Sequence, residues 1–326
     1  MHVLRVSQPP EQQVAAWTKR ALASGDPVVT FRAFINIPAH TLNLSTHHDA
    51  ITFFPPGHFY SPAISRQEIA RDRGRVFAPR ELLAIDLRDR EQLVLLQRLS
   101  RFFDTIPFAD ARTPPYRYFY ANGSYGYGDA VVYWAMLNLL RPNRIVEIGS
   151  GYSSAMALDA IDVLGLPTAC TFIDPYPEVA QKATAPLAPP HRILPQRIQD
   201  IDVDEIASLG TNDLLFIDSS HVLKAGSDVH FELTELLPRL RPGVLVHFHD
   251  AFSNFEYPEP WVAKQNRGWN ELYALHAFLL FNSAFHIEYF NHHLARKYPD
   301  EIRSMLPSCA DRILLNPGGG LWLRRI

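Results

Sequence analysis

The sequence has little cysteine, no long apolar run and no block of like charge, and each absence excludes a class of protein. Cys170 and Cys309 are the only cysteines in 326 residues. They are too few for a disulfide framework and too far apart for a paired metal motif, and they fit a reducing compartment. No stretch approaches the roughly 20 apolar residues that cross a bilayer. The opening MHVLRVSQPPEQQ has no apolar core of signal-peptide length. The formal net charge is -3, with basic residues spread along the chain, so neither a nucleic-acid groove nor a membrane-surface patch is indicated. The chain reads as cytoplasmic, without a nucleic-acid or membrane partner, and both a monomer and a homo-oligomer remain open. A composition of 47% hydrophobic and 20% charged residues is that of a folded globular chain, not a disordered one.

Length allows about two domains at roughly 150 residues each. Two styles of sequence divide the chain near residue 128. Residues 1–128 are rich in proline and aromatics, as in ITFFPPGHFYSP from Ile51 and PPYRYFYANGSYGYG from Pro114. Their one clear helical segment is Arg80 to Phe103, with Leu82, Leu83, Leu93, Leu96 and Leu99 on an apolar face. This part is expected to be a helical and irregular cap. Residues 129–326 alternate short apolar runs with amphipathic helices, as a parallel sheet with crossover helices requires. Asp129 is placed to cap a helix from Ala130 to Leu140. Strands are expected at Arg144–Gly149, Cys170–Asp174, Arg192–Leu194, Asp213–Asp218 and Val244–Asp250. Helices fall near Ser153–Leu164, Pro177–Ala185 and Ser227–Leu240 and within Trp269–Asn282. AFHIEYFN from Ala284 and GGLWLRRI from Gly319, with no long helix between them, read as an antiparallel pair. No internal repeat is apparent.

The sharpest motif is VEIGSGYSS, Val146 to Ser154. An apolar strand enters Gly149-Ser150-Gly151 and a helix begins just beyond. Glycines permit a tight turn and close approach of a ligand to the backbone. Two details separate the turn from a dinucleotide site. Ser154 stands where a third glycine would pack against a pyrophosphate, and Glu147 ends the strand with a carboxylate suited to an ammonium group. Asp174 closes the second strand, where a carboxylate can accept hydrogen bonds from ribose hydroxyls; its alternative is a strand-end turn, because Pro175 follows. Gln199 and Asp200, in the loop after the third strand, are candidates for an adenine amino group.

GSGYSS after an acidic strand end, then Asp174 and then DLLFIDSSH from Asp213 to His221, resembles the class I S-adenosylmethionine-dependent methyltransferases. The resemblance covers residues 129–326 and includes the closing antiparallel pair. It implies an α/β, Rossmann-like core with a mostly parallel seven-stranded sheet. FIDSSH followed by HFHD is similar to the branch of catechol-type and macrolide-sugar O-methyltransferases, many of which bind Mg²⁺. On that likeness the expected reaction is methylation of a small-molecule hydroxyl. Glu147, Gly149 and Gly151 would line the methionine part of S-adenosylmethionine and Asp174 its ribose, with Ser150 and Ser153 of the same loop completing the contacts. An NAD(P)-dependent oxidoreductase and a non-catalytic cofactor-binding protein are the rival readings; the missing third glycine and the antiparallel pair count against the first.

Asp218 and Asp250 end two neighbouring strands, on the rim where α/β enzymes hold ligands. Oxygen ligands suit Mg²⁺, and the resemblance assigns these two acids to it; the alternative is a pair of hydrogen-bonded strand-end acids. His221, three residues beyond Asp218, is a candidate base for the acceptor's proton, with Asp218 beside it. Ala251 departs from the catechol-type pattern, which has a second oxygen ligand there. A softer metal held by Asp218, His249 and Asp250 would require distortion of strand alternation. His247 is read as a core histidine. The pairs His47-His48 and His292-His293 are read as surface loops. Phe255 to Val262 forms a candidate lid, and Tyr116 to Tyr127 an aromatic cluster that packs the cap or walls the substrate.

Overall fold

A computed structural model describes residues 57–326; His47-His48 and the start of the Ile51 segment lie outside them. Two compact units emerge. The described part of the smaller one comprises residues 57–79 and Pro258–Gly268. Its helix α1, Arg66–Val76, starts at a capping box in which Ser65 and Glu68 satisfy each other's backbone N–H groups. Within the same unit Arg73 makes a two-point ion pair with Glu259, at 2.7 and 3.0 Å.

The larger unit, Arg80–Tyr257 with Trp269–Ile326, is a layered α/β structure. Its strands are β1 Arg144–Ile148, β2 Ala169–Ile173, β3 Arg192–Leu194, β4 Leu214–Ile217, β5 Leu245–Phe248, β6 Phe285–Phe290 and β7 Leu321–Arg325. They form one sheet in the order β3-β2-β1-β4-β5-β7-β6. The first five are mutually parallel, and β7 runs antiparallel to both β5 and β6. The expected sheet and its closing antiparallel pair are both present. The connection between β6 and β7 is a run of three short helices, Asn291–Lys297, Pro299–Met305 and Ala310–Leu315.

Helices α2, Asp89–Phe103, α3, Tyr127–Leu140, and α4, Tyr152–Leu164, pack in series against the sheet. Ten consecutive residues of α3, Gly128 to Leu137, are buried, as expected of a helix that is apolar all round. Alanines 155, 157 and 160 on α4 are fully buried, and their small side chains permit close packing. Asp159 on α4 accepts bonds from the backbone N–H groups of Arg117 and Tyr118 and from the Arg117 guanidinium. That contact fixes the aromatic segment before α3 onto the core.

Three local expectations are corrected. The helix expected from Arg80 begins at Asp89, because Ala84 and Arg88 take left-handed backbone angles that break it; Leu96 and Leu99 are buried, but Leu83 is exposed. The residue at the N-terminus of α3 is Gly126, not Asp129. Asp129 is buried in the first turn, where its Oδ1 accepts from the Gly319 N–H. The helix expected near Ser227–Leu240 starts as an α-helix capped by the Ser227 side chain. After Phe231 it widens into a π turn, Glu232–Leu236, and then a 3₁₀ turn ending at Arg239. Pro238 lacks the N–H that a continuing α-helix needs. Among the described residues no helix is long and apolar enough to cross a membrane.

Candidate functional site

The turn after β1 is built from backbone contacts between strand ends. Gly149 has φ of 76°, and a Cβ there would lie 1.8 Å from the Asp218 carbonyl oxygen. Only glycine tolerates that backbone angle and that approach. Its N–H donates to the Ile173 carbonyl at 2.9 Å. Gly151 differs: among the described residues a Cβ there would meet nothing nearer than Val179, at 3.8 Å. The space in front of Gly151 belongs to a cavity of about 700 Å³ lined by Gly149, Ser150, Gly151, Asp174, Gln199 and Asp218, among others.

The expected cofactor residues divide on inspection. Asp174 accepts from the Ser150 N–H at 3.1 Å and, through its other oxygen, from the Tyr176 N–H at 2.8 Å. It both faces the cavity and shapes the turn. Ser153 also lines the cavity. Glu147 does not. It is fully buried one residue inside the strand end, and its Oε1 accepts from the Ser153 and Ser154 hydroxyls at 2.5 and 2.9 Å. Burial raises its carboxyl pKa to about 8 despite those two bonds. The direct ammonium contact expected of Glu147 is thereby corrected to support of the serines beneath the turn. Gln199 lines the cavity, held by its bond to the Gly226 carbonyl at 2.9 Å. Asp200 is turned to solvent and paired with Arg197 at 2.8 Å, and of these two Arg197 lines the cavity. Tyr125, from the aromatic cluster singled out in the sequence, and Lys224 reach the same cavity; no local motif marks Lys224.

At the other end of the site, Asp218, His221 and Asp250 present ligand atoms that all lie within 4.8 Å of one another. The Asp218 N–H donates to the Ile148 carbonyl at 2.8 Å and the His249 N–H to the Ile217 carbonyl at 3.0 Å, so each strand end is fixed by its neighbour. Asp250 has φ of 55°. That left-handed angle breaks the side-chain alternation of a straight strand, so His249 and Asp250 both reach toward Asp218. His221 Nε2 is 3.2 Å from Asp218 Oδ1 and 3.7 Å from Asp250 Oδ2. Its Nδ1 is 2.7 Å from Glu271 Oε2. The His221 carbonyl also accepts from the Asn270 and Glu271 N–H groups, at the start of the helix Glu271–Leu279. One residue thus ties the β4 loop to that helix and brings Glu271 beside the ring. Sequence reasoning missed Glu271, for which no nearby motif gives a signal.

The charges are densely packed. Burial alone would lower the His221 pKa, but Asp218 and Glu271 raise it to about 10. Burial opposes ionisation of Asp218, yet His249 and His221 hold its carboxyl well below the usual range. Burial pushes the Asp250 carboxyl up.

The remaining expectations are resolved locally. His247 is fully buried, stacked 4.2 Å from the Phe216 ring, a core position as expected. His292 and His293 are not surface loops: they lie on the helix after β6, with His293 buried against Asp89 at 2.6 Å. Phe255 and Tyr257 are buried in the larger unit, whereas Pro258 to Val262 belong to the smaller one. The aromatic cluster is chiefly packing: Tyr118 is buried and its hydroxyl donates to the Tyr125 carbonyl at 2.8 Å.

Residues 146–251 match a family described as a methyltransferase domain. An uncharacterized protein of Archaeoglobus fulgidus is 34% identical over 167 residues, covering 49% of this chain and 75% of that protein. Similar solved structures include the S-adenosylhomocysteine-bound methyltransferase PaMTH1 of Podospora anserina, at 16% identity and a TM-score of 0.42, covering 72% of this chain and 88% of that one. Another is the Streptomyces achromogenes O-methyltransferase TomG with S-adenosylmethionine, at 19% identity and a TM-score of 0.36, covering 67% and 85%. The matched domain and the strand order with its antiparallel seventh strand define a methyltransferase. The chain belongs to the class I S-adenosylmethionine-dependent methyltransferases.

Proposed function

We propose that the chain methylates a hydroxyl oxygen of a small-molecule acceptor, a sugar or natural product, at the Asp218 end of the cavity. The observation that carries this reading is the double position of Asp218. It lines the cavity beside the glycine turn and belongs to the Asp218–His221–Asp250 group. A methyl donor seated at the turn and an acceptor held at that group would therefore be neighbours.

S-adenosylmethionine supplies an electrophilic methyl on a sulfonium. The methyl passes to the acceptor oxygen, the sulfonium keeps the electron pair of its broken bond, and the hydroxyl loses a proton. This displacement needs alignment and little covalent chemistry from the protein. In this reading Gly149, Ser150, Gly151 and Ser153 hold the methionine part, with Glu147 supporting Ser153 from behind. Asp174 accepts from the ribose and Gln199 meets the adenine. Asp218, His221 and Asp250 handle the acceptor's proton. Their mixed donor set fits a divalent cation, which supplies the charge that lowers a hydroxyl pKa. Mg²⁺ is the simplest candidate for the two carboxylates. Cys170 and Cys309 are both unpaired, which supports placement in the cytoplasm.

The test is a screen of hydroxylated small molecules for S-adenosylhomocysteine formation, with each hit run in chelator and with restored metal. The reading expects product carrying a new methyl ether and loss of turnover on chelation. Methylation confined to nitrogen or carbon acceptors contradicts it.

A further inference from the structure

The donors around Asp218 include more nitrogen than a magnesium site uses. His249 is more than nine-tenths buried, and among the described residues its Nδ1 has no hydrogen-bond partner. That atom faces the two carboxylates, 3.4 Å from Asp218 Oδ1 and 3.8 Å from Asp250 Oδ1. From the other side His221 Nε2 faces the same two acids at 3.2 and 3.7 Å. Most of these separations exceed an ordinary hydrogen bond. They approach the spacing of about 3.0–3.4 Å between ligands that share one ion through bonds of roughly 2.1 Å.

The far nitrogens carry a second pattern. His221 Nδ1 is 2.7 Å from Glu271 Oε2, and His249 Nε2 is 3.4 Å from Asp129 Oδ2. A carboxylate on the outer nitrogen fixes the tautomer and turns the inner lone pair toward a metal. Both imidazoles have that arrangement, each supplied by a different part of the fold. A buried imidazole left without a partner on its inward side is costly unless something else occupies that position.

We propose that this group is a four-donor site for a first-row divalent transition metal, with Asp218, Asp250, His221 and His249 as ligands and Glu271 and Asp129 orienting the two imidazoles. The proposal rests on reading this cluster as the acceptor end of the methyltransferase, and it deepens that reading. Imidazole suits Fe²⁺, Co²⁺, Ni²⁺ or Zn²⁺, whereas Mg²⁺ favours oxygen and keeps its waters. His221 is then a ligand and not a free base, and removal of the acceptor's proton falls to polarisation of the hydroxyl by the metal. Asp218 links this site to the donor cavity.

The experiment uses the full chain, stripped with chelator and titrated separately with CoCl₂ and MgCl₂ in the absence of substrate. Calorimetry gives both affinities, and the visible absorption of bound Co²⁺ reports its ligands. Co²⁺ is expected to bind at one equivalent and at least ~10³-fold more tightly than Mg²⁺. Glu271→Gln should weaken Co²⁺ by about 10- to 100-fold, and His221→Ala and His249→Ala should each change the Co²⁺ spectrum and reduce the preference over Mg²⁺. Thermal melting and S-adenosylhomocysteine binding, measured on every variant, must stay parental. They separate loss of a ligand from loss of fold, and they read the methyl-donor end independently of the metal. Equal affinity for Mg²⁺ and Co²⁺ would overturn the proposal. So would parental Co²⁺ binding and spectrum in either histidine variant.

Discussion

The two ends of the site are made in opposite ways. The donor end is local: Gly149, Ser150, Gly151 and Ser153 lie within one strand-to-helix turn, joined by Asp174 from the next strand. The acceptor end is assembled from distant parts of the chain, with Asp129, Asp218, His221, His249, Asp250 and Glu271 meeting around a few oxygens. Backbone geometry defines the first and side-chain charge the second. A single substitution at the donor end should therefore act on fold or on binding, and at the acceptor end on chemistry.

The largest contrast lies within the turn itself. Gly149→Ala forces a Cβ against the Asp218 carbonyl at a left-handed backbone angle. The angle alone costs on the order of 1–3 kcal/mol, and the clash adds to it, so a marked drop in denaturation midpoint is expected. Gly151→Val, with open space before it, should melt like the parent while losing S-adenosylhomocysteine binding. Equal stability of the two variants would erase the distinction between the glycine required by packing and the glycine facing a ligand.

At the acceptor end His221→Ala should slow single-turnover methyl transfer by ~10²-fold or more, because it removes a side chain that holds the ion acidifying the acceptor's hydroxyl. Its affinity for S-adenosylhomocysteine should stay parental. A loss confined to donor affinity would merge the two ends into one.

A smaller effect separates two acids. Asp174→Ala should weaken S-adenosylhomocysteine by about 1–3 kcal/mol, the contribution of charge-assisted bonds to ribose. Asp200→Ala should leave that affinity unchanged, because Asp200 faces solvent with Arg197. Titration calorimetry on the pair decides, and the reverse ranking would reassign the adenine side.

The smallest effect is on stability against pH. The Glu147 carboxyl is raised to about 8 in the fold, from an ordinary 4.5. The native chain therefore holds this proton more tightly than the unfolded chain. The stability this provides is complete below pH 4.5 and is lost as pH rises toward about 8. Glu147→Gln keeps an acceptor for the serines and removes the titration. Across that window the parent's melting temperature should fall relative to the variant's by at least ~2 °C. Parallel curves would place an ionised carboxylate in the core.

The same contrast explains what was legible in the sequence. The sheet, its antiparallel close and the glycine turn follow from patterns only a few residues long. Asp218, His221 and Asp250 stood out as strand-end residues. Glu271 and Asp129 did not, because their partners are distant in the chain, and the local pattern around Asp129 is that of a helix cap. The pairing of Asp200 with Arg197 was not legible either, because it depends on the turn that brings the two side chains together. The expected helix from Arg80 failed because two left-handed residues, Ala84 and Arg88, interrupt an otherwise suitable apolar pattern. Alternation along β5 argued against His249 and Asp250 acting together, and the positive φ at Asp250 removes that objection. Backbone angles of that kind leave no mark in a side-chain pattern.

The central claim is that the cavity before Gly151 holds S-adenosylmethionine. Calorimetry of the full chain with S-adenosylhomocysteine and, separately, with NAD tests it most directly. One equivalent of S-adenosylhomocysteine should bind, NAD should give no heat, and Gly151→Val should abolish the first signal while melting like the parent. Binding of NAD without S-adenosylhomocysteine, or undiminished S-adenosylhomocysteine binding by Gly151→Val, would contradict the account.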